Sequence, residues 1–194
     1  MKTITEQDLR NSANKLRTDI ATVKTVNEVE SSGSGFLPDG QPKILFEGHV
    51  FWRELKKRGI NPFEHLKGNE DILYEKWTKK YYKGGAAEHL RLQKASKINR
   101  DAALASASWG SFQIMGFNYK LAGYSSLQTF INAMYESAGK QLDAFVNFVI
   151  NNKLDDELRN KDWDAFAKGY NGSGYKANKY DEKLASAYKK YSKN

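Results

Sequence analysis

Three apolar stripes in the C-terminal half restrict the fold of this chain more than any other feature. Leu127, Phe130, Ile131 and Met134 form the first, Leu142, Phe145, Val146 and Val149 the second, and Trp163, Phe166, Ala167 and Tyr170 the third. Residues three and four apart share one face of a helix, so each set predicts a helix with one buried side. Further helices are expected over 50–58, 86–97, 100–108 and 179–191. Only three prolines occur in 194 residues, which favours helix. At the N-terminus, Thr5 caps a helix with Asp8 at its third position, running to about Lys15. Thr18 or Asp19 starts the next, which ends on Glu30. Ser31 to Gly40 is a turn-rich loop of glycine, serine and proline, followed by a short extended run, Lys43 to Glu47. Residues 59–85 are irregular, with Asn61-Pro62 and Gly84-Gly85 as breakers. The expected fold class is mainly α: a helical bundle with a short β-strand or hairpin region. The length suits one domain over 1–194, with no internal repeat and no linker long enough to divide it.

Composition removes several function classes. The chain has no cysteine, so disulfides, thiolate catalysis and zinc–cysteine sites are excluded. His49, His65 and His89 lack metal-ligand spacing, so neither metal nor cofactor is expected. No apolar run approaches the ~20 residues of a membrane span. Met1 to Glu6 lacks the apolar segment of a signal peptide. The net charge of +8 suits either simple solubility or a polyanionic partner. Lys176, Lys179, Lys183, Lys189, Lys190 and Lys193 concentrate that charge near the C-terminus, interleaved with Tyr175, Tyr180, Tyr188 and Tyr191. Without a helix-turn-helix, zinc-finger or RNP-type signature, nucleic acid is not the expected partner.

One acidic residue sits where chemistry is expected. Glu30 lies four residues after Val26 and seven after Val23, on the apolar face of its helix, with Ile20 one turn further back. A desolvated carboxyl has a raised pKa and can serve as a general acid near neutral pH. Glu28 is rotated about 200° away and is expected to be solvated beside Lys24.

Three segments recur together with this glutamate: Glu30-Ser31, then Ser108-Trp109-Gly110-Ser111-Phe112-Gln113-Ile114-Met115-Gly116, then Gly169-Tyr170-Asn171-Gly172. In this order they resemble the lysozyme-like superfamily of goose-type lysozymes and lytic transglycosylases, which carry a Glu-Ser helix end, a Gly-Leu-Met-Gln-like loop and an Ala-Tyr-Asn-x-Gly-like turn. Longer strings narrow the match. Val29 to Gly40, Pro42 to His49, Glu88 to Leu92 and Ala103 to Gly110 resemble the N-acetylmuramidase family of phage endolysins and some bacterial proteins, over about residues 18–175. Many relatives carry a separate peptidoglycan-binding domain ahead of the catalytic one. Only about 17 residues precede it here, so a single-domain version is expected. Two positions depart from the wider superfamily: Ser-Phe-Gln replaces Leu-Met-Gln, and Gly169 replaces alanine.

The resemblance implies cleavage of the β-1,4 bond between N-acetylmuramic acid and N-acetylglucosamine, with Glu30 as general acid and the extended segment beside the active-site cleft. A glycosidic oxygen leaves poorly unless protonated, and a second carboxylate stabilises the oxocarbenium-like transition state or activates water. Glu47 is the first candidate for that second group, with Arg53 or His49 as its structural partner otherwise. Asp39 is a weaker candidate, and Asp101 reads as a cap or first-turn acid. The Tyr170 ring closes the Trp163 stripe as core, and the family pattern implies that its hydroxyl bonds Glu30. Gln113 is expected to face the cleft and bond an N-acetyl group, or to sit in a buried wall, and Asn171 to shape the turn or contact saccharide. Ser108 and Ser111 would let the loop approach sugar, and Trp109, Tyr81 and Tyr82 would stack on sugar rings or pack in the core.

Two competing functions remain. A lytic transglycosylase would give 1,6-anhydro products through the sugar's own acetamido group, and a non-catalytic basic module would only bind wall. For the enzyme, the expected partner is peptidoglycan, with an anionic outer-membrane surface as a further one, and monomer is the default state. The expected route is synthesis in a host cytoplasm without a signal peptide and action on the periplasmic wall.

Overall fold

Residues 2–31 and 33–193 are described by the computed structural model, so Ser32 of the Glu-Ser-Ser-Gly string lies outside the described residues. The capping expected at the N-terminus is present. Thr5 and Asp8 form a reciprocal capping box at the start of α1 (Glu6–Leu16). The Asp19 carboxylate accepts the Thr22 amide at 2.6 Å to start α2 (Ile20–Glu30). The three apolar stripes form α6 (Leu127–Glu136), α7 (Ala138–Asn151) and α9 (Trp163–Asn171), with α8 (Asp155–Asn160) between the last two. Leu142, Phe145, Val146 and Val149 are wholly buried, which places α7 in the middle of the core. Around it run α3 (Gly48–Lys57), α4 (Ala86–Ser96), α5 (Arg100–Ala105) and α10 (Tyr180–Tyr191). The last of these packs on α2 and α9.

A small antiparallel sheet completes the fold. It contains β1 (Ile44–Phe46), β2 (Ala107–Trp109) and β3 (Ile114–Met115), in that spatial order. Leu45 pairs with Ser108, and Ser108 with Met115. This corrects one expectation. The helix expected over 100–108 stops at Ala105, and Ser108 and Trp109 belong to β2. Alanine favours helix locally, so the expectation followed propensity, and pairing with β1 overrides it here. Trp109 is 1% exposed, and its indole N–H donates to the Leu104 carbonyl at 3.2 Å. It is therefore a core residue and cannot stack on a sugar.

The irregular stretch after α3 contains one short 3-10 turn, Pro62–His65. It is held by a buried ion pair on α4. The Glu88 carboxylate accepts the backbone amides of Phe46 at 3.0 Å, Lys83 at 2.7 Å and Gly84 at 3.1 Å, and pairs with Arg91 at 2.8 Å. The Arg91 guanidinium donates to the carbonyls of Phe46 at 2.9 Å and of Asp71 at 2.8 Å. These two side chains thus tie β1 to both ends of the segment 71–84. Their hydrogen bonds and mutual attraction offset the cost of burying charge.

Removing one partner strands the other. Glu88→Ala should destabilise the protein by about 3–5 kcal/mol. Thermal unfolding should show a drop in Tm on the order of 10 °C. A shift below about 2 °C would mean that the pair does not anchor this region.

Candidate active site

The apolar face of α2 ends at Glu30. Behind it, Val23 and Val26 are fully buried, with Ile20 packed against the same core. The carboxyl also sits at the negative end of its helix, which further disfavours an anion. Burial pushes its pKa up to about 7, against the weaker opposing pull of an Asn171 hydrogen bond and the Lys183 charge. The Asn171 amide donates to Glu30 Oε1 at 3.1 Å. Glu28 lies on the other side and is solvated, as expected, but its partner differs. Lys190 approaches its carboxylate at 2.6 Å and Tyr191 donates its hydroxyl to the same oxygen, while Lys24 lies near Glu6 at 3.9 Å. Docking of α10 on α2 brings the two C-terminal groups to Glu28.

The structure brings the three sequence segments together. Phe112 stacks on Phe145 with ring centroids 4.3 Å apart, and Phe145 meets the edge of Tyr170 at 5.3 Å. Tyr170 in turn stacks on Phe166 at 5.7 Å. A continuous aromatic wall therefore joins the Ser-Phe-Gln loop to the Tyr-Asn turn. The hydrogen bond to Glu30 comes from Asn171 and not from the Tyr170 hydroxyl, which corrects the expected pairing. Burial, then the nearby Glu30 charge, raises the Tyr170 phenol pKa, so it stays neutral. The Gly169 departure has a steric reason. A Cβ there would lie 2.4 Å from a Leu154 methyl group.

Gln141 of α7 clamps the other two segments and escaped the sequence reasoning. Its Oε1 accepts the Ser111 amide at 2.8 Å and the Ser111 hydroxyl at 3.2 Å. Its Nε2 donates to the carbonyls of Met134 at 2.9 Å and Gly35 at 3.4 Å. Gly35 approaches so closely that a Cβ would lie 1.9 Å from the Gln141 oxygen. The available signal was a polar residue one turn before Phe145, on the buried side of the stripe. Within the hairpin, the Ser108 hydroxyl donates to Gln113 Oε1 at 2.8 Å, and Gln113 Nε2 donates to the Gly110 carbonyl at 2.8 Å. Gln113 adopts a left-handed conformation, φ 49°.

The segment from Glu30 to Glu47 closes on itself. Lys43 N–H donates to the Gly35 carbonyl at 2.8 Å, and Phe36 bridges Pro42. Glu47 follows β1 and occupies the cap position of α3 without capping it. Its largely buried carboxylate instead receives the Tyr82 hydroxyl, with His49 Nδ1 at 3.3 Å. His49 is therefore its neighbour, as one of the two expected partners. Burial lowers the His49 pKa, so the ring is neutral at neutral pH. Burial and the Glu47 carboxylate raise that of Tyr82, which keeps its proton to donate. Asp39 is fully exposed in a turn that bonds Gln41. Asp101 lies in the first turn of α5, whose cap is Asn99. Among the described residues no cluster of three metal-ligating side chains occurs.

Residues 19–192 match the N-acetylmuramidase family. The chain belongs to that family. This muramidase also matches the crystal structure of a Burkholderia AP3 phage endolysin with a TM-score of 0.92 and 43% identity, covering 100% of this chain and 73% of that one. No curated protein matches it. The muramidase is thus a glycoside hydrolase acting on peptidoglycan, with an endolysin fold. No helix among its described residues is long and apolar enough to cross a membrane.

The Glu30 environment has a measurable consequence for stability. Below the ordinary pKa of 4.5, folded and unfolded chains both hold this proton. Between 4.5 and about 7 the folded muramidase keeps a proton that the unfolded chain has lost, so stability falls as pH rises. Glu30→Gln removes this penalty. It should stabilise the protein by roughly 2–3 kcal/mol at about pH 8 and hardly at all at about pH 4. Thermal melts at both pH values check this, and an equal gain at both contradicts the raised pKa.

Proposed function

We propose that Glu30 is the general acid with which this muramidase cleaves the β-1,4 bond between N-acetylmuramic acid and N-acetylglucosamine. The observation that carries this reading is a largely buried carboxyl at the end of α2, hydrogen-bonded by Asn171 of the Tyr-Asn turn, whose burial raises its pKa to about 7. At neutral pH a large fraction of it is protonated and able to donate to the leaving oxygen. The Asn171 amide orients the carboxyl and stabilises the anion formed once the proton has left. Its bond to Oε1 leaves the other oxygen to deliver the proton.

Glu47 is the second carboxylate in this reading. The Tyr82 hydroxyl holds its side chain in one orientation with the neutral His49 ring alongside at 3.3 Å, and neither is an Arg or Lys that would neutralise it outright. It would stabilise positive charge on the sugar or activate water. In this reading Gln113 and Asn171 face the substrate and the buried Ser108 fixes the Gln113 side chain, while Tyr170 and Trp109 support the site from the core. The muramidase acts as a monomer on the periplasmic wall. Its surplus positive charge would attract the acidic wall and an anionic outer membrane. Part of that charge is used internally, by Lys190 on Glu28 and Lys176 on Asp164 and Asp181.

Product analysis tests the reaction. Mass spectra of digested sacculi should show reducing muramic ends, 18 Da heavier than the anhydro products of a transglycosylase. Glu30→Gln should lower the rate by about 10³-fold and Glu47→Gln by about 10²-fold. A Glu30 variant as active as the parent removes the proposal, and a fully active Glu47→Gln removes the second carboxylate. Activity on sacculi should also fall between about 0.1 M and about 1 M salt, as the Debye length shrinks from ~10 to ~3 Å. A flat response would remove charge from substrate capture.

A further inference from the structure

The stretch Glu75-Lys76-Trp77-Thr78-Lys79-Lys80-Tyr81-Tyr82-Lys83 holds four lysines and three aromatic rings. All four lysines are exposed. Trp77 is 58% exposed, whereas Trp52 and Trp109 are buried and Trp163 packs against the core. Leaving so much aromatic surface in water is unfavourable, and it is unusual on a segment that is well anchored. This one is pinned before and after the tryptophan. Arg91 and Lys94 hold Asp71 on one side, and Glu88 holds the Lys83 and Gly84 amides on the other. Tyr74 and Tyr81 pack at 5.2 Å between those anchors.

The ring also has a defined neighbour. Five residues further along the same anchored segment, the Tyr82 hydroxyl donates to Glu47, and the Trp77 side chain lies near enough to that hydroxyl to pull its pKa slightly down. The indole N–H is the only polar group of this side chain, so the ring itself is apolar surface. Lys79 lies with its ammonium 5.7 Å from the ring centre.

We propose that Trp77 is a stacking platform for a pyranose ring of the glycan strand, on the Glu47 side of the active site, and that the surrounding lysines meet the carboxylates of the strand's peptide stems. The C–H face of a pyranose matches an aromatic face, while the stems supply the anionic complement to Lys76, Lys79 and Lys80. The proposal rests on the reading that the scissile strand passes Glu47. Of the two outcomes expected for Tyr81 and Tyr82, stacking on sugar or packing within the protein, the structure shows contacts within the protein: Tyr81 packs on Tyr74 and Tyr82 bonds Glu47.

Binding is measured in a Glu30→Gln background, where turnover does not interfere. Trp77→Ala in that background should bind soluble N-acetylglucosamine–N-acetylmuramic acid oligomers about tenfold more weakly, with Tm unchanged, because the side chain is exposed. Trp77→Tyr should restore most of the affinity. In the active protein, Trp77→Ala should raise KM and leave kcat nearly unchanged. Equal oligomer affinity for the alanine variant overturns the proposal. So does failure of tyrosine to restore binding, or a loss confined to lipopolysaccharide-containing vesicles, which would make Trp77 a membrane contact. The oligomer assay contains no chemical step. It therefore separates this proposal from the role of Glu47, which Glu47→Gln turnover tests alone.

Discussion

A carboxyl group can stay neutral near pH 7 only where the surrounding structure withholds water from it. Here that condition is met at the end of α2, where the buried valines of one helix face run up to Glu30. The rest of the site follows from it. The aromatic wall from Phe112 through Phe145 and Tyr170 to Phe166 brings apolar mass to the side of the site formed by α9. One neutral donor, Asn171, reaches the carboxyl without fully reversing the desolvation. A nearby cation in contact would have restored an ordinary carboxylate. Lys183 exerts only a lesser pull, and Lys190 is engaged by Glu28 on the far side of the helix.

Two buried polar devices hold the irregular parts of the chain in place. Gln141 fastens the loop after Glu30 to the hairpin loop at Ser111, with both ends of its amide engaged. Glu88 and Arg91 fasten β1 to the segment that carries Trp77 and Tyr82. Both devices engage backbone groups of the loops they hold. Loops with little secondary structure have unpaired amides and carbonyls, and a buried polar side chain that satisfies several at once sets their geometry. Glu47 thereby follows directly on Phe46, whose amide and carbonyl the Glu88–Arg91 pair holds, while Glu30 is set by the end of α2 and by Asn171.

The helices were legible because burial has a period, and every stripe read from the sequence forms a helix with that face inside. The family and the buried carboxyl were legible for a related reason: Glu30 breaks an apolar pattern, and the motifs around it occur in a characteristic order. Less was visible where a residue's partner is distant in the chain. Trp109 read equally well as a sugar contact or core, because an aromatic ring suits both, and Tyr170 as core or as a partner of Glu30. The boundary at Ala105 was missed because alanine favours helix and only the distant strand β1 overrides it. Gln141 and the Glu88–Arg91 pair sit on helix faces that look merely mixed until the loops they hold are in view.

Sequence by itself determined the helical architecture, the family, the reaction class and the position of an acid on a greasy face, since all of these depend on local periodicity and on strings of neighbouring residues. Tertiary structure alone decided that Asn171 rather than Tyr170 touches Glu30, that α10 supplies the partners of Glu28, and that Trp77 rather than Trp109 stays in water. The first two outcomes depend on surfaces that meet across more than a hundred residues of chain and the third on how separate elements pack around each ring, and no spacing within a segment carries that information.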